Sequence, residues 1–173
     1  MDAPDRLSSR LVFNGKRSTK QLGLVSEAAV LHLFAKAGYV VSLPFGENAP
    51  YDMIVEDGEG RLSRIQVKTG RLRDGCVRFN AVSVHAHRNA AAKRYHGKID
   101  AFAVYCPENG KFYIVPIDDP VAKASIGWLR IAPARNNMRA KIHWADRYAV
   151  RPGKESPALF DAGLMGTGAV GGD

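Results

Sequence analysis

Two short segments of the chain decide its fold: YDMIV at residues 51–55 and RIQVK at residues 64–68. β-Branched and aromatic residues alternate there with polar ones, which is typical of strands that bury one face. Between them, the segment EDGEG at residues 56–60 carries the residues that tight turns prefer. The sequence therefore predicts strands at 51–55 and 62–68 that are joined as a β-hairpin.

The side chains of the second strand divide between two faces. Alternate residues point to opposite sides of a strand, so Ile65 and Val67 face the core. Arg64, Gln66 and Lys68 share the other side. The alternative is an ordinary amphipathic strand whose polar side is only solvated.

Asp52, in the first strand, can meet this polar face. Depending on how the turn closes, it lies opposite some residue between Ser63 and Gln66, and directly opposed residues are about 5 Å apart. If both lie on one face, Asp52 and Gln66 can share one hard cation, with Lys68 one step along. Such a site would hold a divalent cation and an ammonium group beside one phosphate.

Glu27 adds a second carboxylate from a predicted helix. Its neighbours on the same helical face are Leu24, Val30 and Leu31, so it lies at or near a packed surface. A buried carboxylate is costly unless a cation or hydrogen bonds compensate it. A helix packed on the sheet could aim Glu27 at Asp52; the alternative is an edge carboxylate that reaches water.

The other elements follow an α/β order. The first helix is predicted from a cap at Ser18 or Thr19 to Ala37, with Gly38 ending it. The remaining predicted elements are strands at 39–43, 77–82, 100–105, 111–115 and 128–131, and helices at 84–96 and 120–125.

The length of 173 residues suits one domain. Residues 1–17 are predicted to form a flexible N-terminal arm and residues 18–151 the folded domain. Residues 152–173 are rich in glycine and small residues, have little to bury, and are predicted to be a disordered tail.

Targeting signals and membrane spans are not expected. The first twenty residues are polar and charged, unlike a secretory leader. The longest apolar run, at 22–41, is interrupted by Glu27, His32 and Lys36 and does not suit a membrane span. Cys76 and Cys106 make neither a disulfide framework nor a metal cluster. We therefore expect a cytoplasmic protein without a membrane partner.

The positive charge is concentrated in one segment. The chain has a formal net charge of +8. Residues 61–98 contain ten lysine or arginine residues and one acid, Asp74, so this segment alone carries a surplus of nine positive charges. Such a field attracts polyphosphates. The alternative is a solvated basic face without a partner.

The ordered set Glu27, Asp52, Gln66-Val67-Lys68 resembles the PD-(D/E)xK nuclease superfamily, and most closely its group I intron-associated homing endonuclease branch. The resemblance covers residues 19–149 and implies a restriction-endonuclease-like αβββαβ core with a central mixed sheet flanked by helices. The segments that carry it are NAPYD at 48–52, IQVKTG at 65–70, RFN at 78–80, AVYCPE at 103–108 and RNN at 135–137.

Two positions depart from the general motif. Pro50 stands two residues before Asp52 rather than immediately before it. Gln66 replaces the acid expected ahead of Lys68, and a neutral amide oxygen binds Mg²⁺ less strongly than a carboxylate. The homing endonuclease branch that the chain resembles also uses glutamine at this point.

The resemblance implies a Mg²⁺-dependent DNA endonuclease, with Mn²⁺ as a possible substitute. The implied catalytic residues are Glu27, Asp52, Gln66 and Lys68. The implied metal ligands are Asp52, the Gln66 side-chain oxygen, the Val67 main-chain carbonyl and Glu27, directly or through water. Lys68 would orient the attacking water and offset charge in the transition state.

Contacts with DNA are predicted from basic and amide side chains. The candidates for phosphate contacts are Arg71, Arg73, Arg78, Arg88, Lys93 and Arg94. The candidates for base readout, which could equally cap a loop, are Arg135, Asn136, Asn137 and Arg139.

The expected substrate is double-stranded or branched DNA. Cutting both strands of a duplex requires two active sites, so a homodimer or homotetramer is expected. One alternative is a catalytically weakened or inactive DNA-binding or assembly protein on the same fold, which Gln66 favours. A second is an RNA-directed enzyme, because basic charge alone does not distinguish the two nucleic acids.

Overall fold

The computed structural model describes residues 18–46, 48–83, 94–133 and 142–150. The predicted arm and tail lie outside these ranges. In chain order the elements are α1 (Thr19–Lys36), β1 (Val40–Ser42), β2 (Met53–Glu56), β3 (Leu62–Thr69), β4 (Arg71–Arg73), β5 (Cys76–Asn80), β6 (Ala101–Cys106), β7 (Lys111–Pro116), α2 (Pro120–Lys123), β8 (Ile126–Arg130) and a 3₁₀ helix at Ala145–Arg147.

Helix α1 begins at the predicted cap. The Ser18 side chain accepts from the Gln21 N–H at 3.2 Å, and the Gln21 side chain accepts from the Ser18 N–H at 2.8 Å. This reciprocal capping box satisfies two N–H groups that have no partner inside the helix. The helix ends before Gly38, whose φ of 88° is the left-handed conformation of a helix stop.

Five strands form the central sheet, in the order β1-β2-β3-β6-β7. All neighbours are antiparallel except β3 and β6, which are parallel, so the sheet is mixed as predicted. Parallel neighbours require a crossover connection. Here the crossover contains β4, β5 and residues 84–93. Of these, only residues 84–93 lie outside the described ranges.

The predicted helix at 84–96 is wrong at the end that the structure describes. Residues 94–98 are not helical. The Tyr95 carbonyl accepts hydrogen bonds from the N–H groups of Lys98 and Ile99, and Gly97 has a φ of 73°. These contacts form a tight turn that leads the chain into β6.

A second, three-stranded antiparallel sheet has the order β4-β5-β8. Strands β4 and β5 are joined by Asp74 and Gly75, whose φ values of 48° and 71° are those of a two-residue hairpin turn. Strand β4 was not predicted, although an Asp-Gly pair is a strong hairpin signal.

Two apolar layers hold these elements together. One lies between α1 and the central sheet, and the other lies between the two sheets. The first contains Val30, Phe34, Met53, Val55, Ile65, Val67, Ala101, Ala103 and Ile114. The second contains, among others, Val77, Phe79, Phe102, Val104, Tyr113, Val115, Val121 and Leu129.

The two sheets approach each other closely where the chain passes from β3 to β4. A Cβ atom on Gly70 would lie 2.7 Å from a methyl carbon of Val77, so only glycine fits there without displacement. This approach brings the basic strand β4 next to the end of β3 that carries Lys68.

The other predicted strands and the short helix overlap observed elements. The main difference is at the first hairpin strand, which begins at Met53 and leaves Asp52 immediately before it. Within the described ranges, no helix has the length and apolar character needed to cross a membrane.

Candidate active site

The hairpin register places Asp52 opposite Gln66. Met53 pairs with Ile65, and the Asp52 N–H donates to the Ile65 carbonyl at 2.9 Å, which extends the ladder by one residue. Directly opposed residues present their side chains on the same face. Asp52 and Gln66 are therefore neighbours because of how the turn at 57–60 closes.

One oxygen of Asp52 receives two hydrogen bonds from β3. Oδ2 accepts from the Val67 N–H at 2.6 Å and from Nε2 of Gln66 at 2.5 Å. Nε2 of Gln66 also lies 3.4 Å from the Val67 carbonyl oxygen. The carboxylate of Asp52 and the Val67 carbonyl thus converge on one amide group.

The carboxyl group of Asp52 resists ionisation. Burial is the largest influence and raises the pKa of Asp52 above its ordinary value. The Val67 N–H, the charge of Lys68 and the Gln66 side chain stabilise the ionised form but offset only part of this effect. A bound cation would remove the remaining penalty.

Glu27 lies on α1, half-buried and close enough to Asp52 for the two charges to interact. Burial is the main cause that raises the pKa of Glu27, and repulsion from Asp52 adds to it. Of the expected neighbours, Val30 is fully buried, whereas Leu24 is 56% exposed. Glu27 therefore lies at the rim of the packed surface, between the exposed Leu24 and the buried Val30.

A hydroxyl pair attaches α1 to β3 beside these carboxylates. The side chains of Ser26 and Thr69 lie 2.7 Å apart, and Ser26 is completely buried. Ser26 precedes Glu27 in α1, and Thr69 follows Lys68 in β3. The contact therefore sets the position of the helix carboxylate relative to the strand.

Lys68 projects from the same face as Gln66 and has a partner that the sequence analysis missed. Its Nζ donates a hydrogen bond of 3.0 Å to the Tyr95 hydroxyl. Tyr95 lies just before β6, 27 residues further along the chain. No local pattern links the two positions.

Arg64, the third polar residue of this face, is engaged in an ion pair. Its guanidinium meets both carboxylate oxygens of Asp100, with Nη2 to Oδ1 at 2.8 Å and Nε to Oδ2 at 3.1 Å. Burial opposes ionisation of Asp100, but the hydrogen bonds from Arg64 outweigh it and lower the pKa of that carboxyl. The ion pair thereby offsets the positive charge of Arg64.

The donor set suits a hard divalent cation. Two carboxylates with raised pKa values, an amide side chain and a main-chain carbonyl lie together, and such oxygen ligands are those that Mg²⁺ prefers. Rotation of the Gln66 amide about its terminal bond exchanges Nε2 for Oε1, so the side chain can offer an oxygen. In the part of the chain that the structure describes, His, Cys, Asp and Glu form no cluster of three or more that could hold a metal, so a softer, sulfur- or histidine-rich site is not built there.

The predicted phosphate contacts Arg71, Arg73 and Arg78 lie on one face of the β4-β5-β8 sheet. Arg71 pairs with Arg78 across β4 and β5. The Arg71 guanidinium also lies 3.3 Å from Glu108. The opposite face of this sheet packs on the core, so Arg71 and Arg73 are exposed. Arg78 is only partly exposed, and its Nε is buried without a hydrogen-bond partner in the part of the chain that the structure describes.

Strand β8 adds two residues to this face that the sequence analysis missed. Trp128 pairs with Arg78 and Arg130 pairs with Cys76. The Arg78 guanidinium lies 5.5 Å from the Trp128 ring centroid, and Trp128 is 43% exposed. The alternation in IGWLR at 126–130 predicts a shared side for Trp128 and Arg130, but not which strand lies beside them. We call Arg71, Arg73, Arg78, Trp128 and Arg130 the basic sheet face.

The other predicted DNA contacts fall into two groups. Arg94 donates to the main-chain carbonyl of Lys123, the last residue of α2. The remaining candidates, which lie outside the described residues, are Arg88, Lys93, Arg135, Asn136, Asn137 and Arg139.

The mixed central sheet, with an acid, an amide and a lysine at one hairpin, is consistent with the restriction-endonuclease-like fold class. A family model described as PD-(D/E)XK endonuclease matches residues 17–151. The chain belongs to this family, whose members generally use divalent metal ions.

A solved structure supports the same relationship. The structure of a bacterial homing endonuclease, I-Ssp6803I, matches with a TM-score of 0.63 and 25% sequence identity, over 77% of this chain and 89% of that one. The comparison with curated proteins found no match. The predicted fold class and the predicted relation to homing endonucleases are thereby confirmed.

Proposed function

We propose that this protein is a Mg²⁺-dependent DNA endonuclease that hydrolyses phosphodiester bonds, with Glu27, Asp52, Gln66 and Lys68 as its catalytic residues. The observation that carries the proposal is the convergence of the Asp52 carboxylate and the Val67 carbonyl on the Gln66 side chain. Mn²⁺ would substitute for Mg²⁺ because it accepts the same oxygen ligands.

Four groups would hold the cation: the carboxylates of Asp52 and Glu27, the Gln66 side-chain oxygen and the Val67 carbonyl. The two carboxylates must be ionised to do so, and each ionises more readily once a cation offsets burial and mutual repulsion. When bound, the cation supplies Lewis acidity that polarises the scissile phosphate and acidifies the attacking water.

Lys68 would act on the phosphate itself. Its ammonium lies on the same face as the Gln66 side chain, two residues along β3. There it can orient the attacking water and stabilise the negative charge that grows on the phosphate oxygens. A lysine serves here because it offers a compact charge with several donors.

The basic sheet face is the proposed surface for double-stranded or branched DNA. Its four guanidinium groups supply the positive charge that attracts a phosphate backbone, and β4 follows directly on the end of β3 that carries Lys68. Three arginines of the basic segment form ion pairs: Arg61 with Asp57, Arg64 with Asp100 and Arg71 with Glu108. Of these three, Arg71 belongs to the basic sheet face, where Glu108 offsets part of its charge. Arg130 joins from outside that segment. We expect a homodimer or homotetramer, because two active sites are needed to cut both strands.

One observation favours a second function, a DNA-binding or assembly protein without catalysis. The Gln66 amide nitrogen already binds Asp52 at the position that a cation would take. A chain in which this hydrogen bond persisted would bind DNA through the basic sheet face but would not cleave it.

A cleavage panel distinguishes the two functions. Supercoiled plasmid, linear duplex, branched DNA and RNA are incubated with Mg²⁺, with Mn²⁺ or with chelator, for the wild type and for Asp52→Ala and Lys68→Ala. Lys36→Ala, at the exposed end of α1, is the matched control. We expect metal-dependent DNA cleavage that is lost in Asp52→Ala and strongly reduced, but still measurable, in Lys68→Ala, while the DNA affinity of both variants is retained.

Full cleavage by Asp52→Ala would contradict the assignment of the site. Binding that is indifferent to metal, without cleavage of any substrate, would favour the second function. Preferential cleavage of RNA would replace DNA as the substrate.

A further inference from the structure

The Tyr95 hydroxyl is the group that holds the Lys68 ammonium. Nζ lies 3.0 Å from the hydroxyl oxygen and 4.5 Å from the ring centroid of Tyr95. The ring of Phe102 is further away, at 5.9 Å from Nζ to its centroid. The contact is therefore mainly a hydrogen bond to the oxygen and only secondarily an interaction with the rings.

Tyr95 is itself fixed by the fold. Its ring packs edge-to-face on Phe102, with centroids 5.4 Å apart, and Phe102 is fully buried in the layer between the sheets. The Tyr95 carbonyl accepts from the N–H groups of Lys98 and Ile99 in the turn that precedes β6. Phe102 pairs with Gln66 across β6 and β3, so the tyrosine is anchored to the strand beside the site.

The chemistry of the partner distinguishes Lys68 from Arg64 on the same face. Arg64 is paired with a carboxylate, which neutralises its charge. The Tyr95 hydroxyl is a neutral acceptor, so it restrains the ammonium without cancelling its charge. A lysine has a long and mobile side chain, and restraint before substrate arrives lowers the cost of aiming it at a phosphate.

We infer that Tyr95 is a positioning residue for Lys68 that holds its charged ammonium on the active-site face, an inference that rests on the proposed nuclease function. Tyr95 acts through Lys68 and is not required to touch DNA or the cation. Its contribution is to the rate of the cleavage step rather than to substrate binding.

The test is Tyr95→Phe, which removes the hydroxyl and keeps the ring that packs on Phe102. The matched control is Tyr113→Phe, which removes a buried hydroxyl from the same apolar layer; this hydroxyl accepts a hydrogen bond of the same length, 3.0 Å, from Asn109. Each is measured for single-turnover cleavage, DNA affinity and thermal unfolding, alone and in a Lys68→Ala background.

We expect Tyr95→Phe to slow cleavage by about tenfold, the loss of one hydrogen bond to a charged group. Its DNA affinity should stay within about twofold of the wild type, because phosphate contacts dominate binding. Tyr113→Phe should cleave at the wild-type rate. In the Lys68→Ala background, Tyr95→Phe should cause no further loss.

Three results would overturn the inference. They are a wild-type cleavage rate in Tyr95→Phe, an equal loss in Tyr113→Phe, and a further loss in the Lys68→Ala background. A wild-type protein that cleaves no nucleic acid with any divalent metal would overturn the proposed function and this inference with it. Failure of the inference and failure of the proposed function are distinguishable, because only failure of the proposed function leaves the wild-type protein without cleavage.

Discussion

Ser26 and Thr69 lie 2.7 Å apart through their side-chain oxygens and connect α1 to the end of β3. Ser26 also donates to the Leu22 carbonyl at 2.9 Å, so the pair is part of a small buried network. Glu27 and Lys68 are the chain neighbours of these two residues. This contact between two hydroxyls, together with the apolar layer beneath α1, helps to hold the helix carboxylate near the end of the strand.

Thr69→Val should loosen this connection. Valine keeps the shape of threonine but leaves the buried Ser26 hydroxyl without that partner, which costs about 1–2 kcal/mol. We expect a lower free energy of unfolding in urea and slower cleavage, since Glu27 is less well held. Thr69→Ser retains the hydroxyl and serves as the control. Equal stability of the two variants would contradict the prediction.

Gln66→Glu should strengthen metal binding. It adds a full negative charge to a site that now has two carboxylates, and carboxylate count is a main determinant of affinity for hard cations. We expect Gln66→Glu to bind Mg²⁺ about tenfold more tightly than the wild type, because each added carboxylate ligand raises the affinity of a site for hard cations. Titration calorimetry in the absence of DNA measures this affinity. Gln66→Ala should bind less tightly than the wild type. An unchanged Mg²⁺ affinity in Gln66→Glu would show that residue 66 lies outside the metal site.

The raised pKa of Asp52 predicts a specific pH dependence of stability. Because the folded protein binds this proton more tightly than the unfolded chain does, stability falls as the pH rises from the ordinary value of 3.8 through the raised pKa. Above that pH range Asp52 is ionised in the folded protein, and the cost of burying its charge lowers the free energy of unfolding in full. Without metal, Asp52→Asn should thus be more stable than the wild type at neutral pH, and the difference should shrink in acid.

Urea unfolding in chelator across this pH range measures the effect. Glu27→Gln should show the same direction, since burial and Asp52 raise the pKa of Glu27. Mg²⁺ should stabilise the wild type at neutral pH and have little effect on Asp52→Asn. If the difference in free energy of unfolding between Asp52→Asn and the wild type did not change with pH, the proposed cost of burying the Asp52 charge would be refuted.

The basic sheet face should contribute to DNA binding through charge. Arg73→Ala and Arg130→Ala should each weaken DNA binding by the same factor for duplexes of unrelated sequence. Each should also reduce the slope of log affinity against log salt concentration by about 0.9. Lys36→Ala, on the last turn of α1, is the control with the same loss of charge. Fluorescence anisotropy across a salt series provides the measurement. An equal effect at Lys36 would mean that general charge, rather than this face, is responsible.

The hairpin and the division of β3 into an apolar and a polar face could be predicted because they depend on neighbours in sequence. Alternation in RIQVK and the turn residues at 57–60 act over a few positions. The Asp-Gly turn of β4 and β5 was equally readable and was missed. The helix predicted up to residue 96 was wrong at its end, because hydrogen bonds to the Tyr95 carbonyl and the left-handed Gly97 favour a turn there.

The sequence by itself determined which residue types are present and which side of a strand or helix each one takes, since these follow from local periodicity. Only the tertiary structure decided their partners: Gln66 with Asp52, Thr69 with Ser26, Lys68 with Tyr95, Arg64 with Asp100, and Arg78 with Trp128. The physical reason is that each pair joins separate elements, whose contact depends on register and on the packing of a helix and two sheets around shared apolar layers.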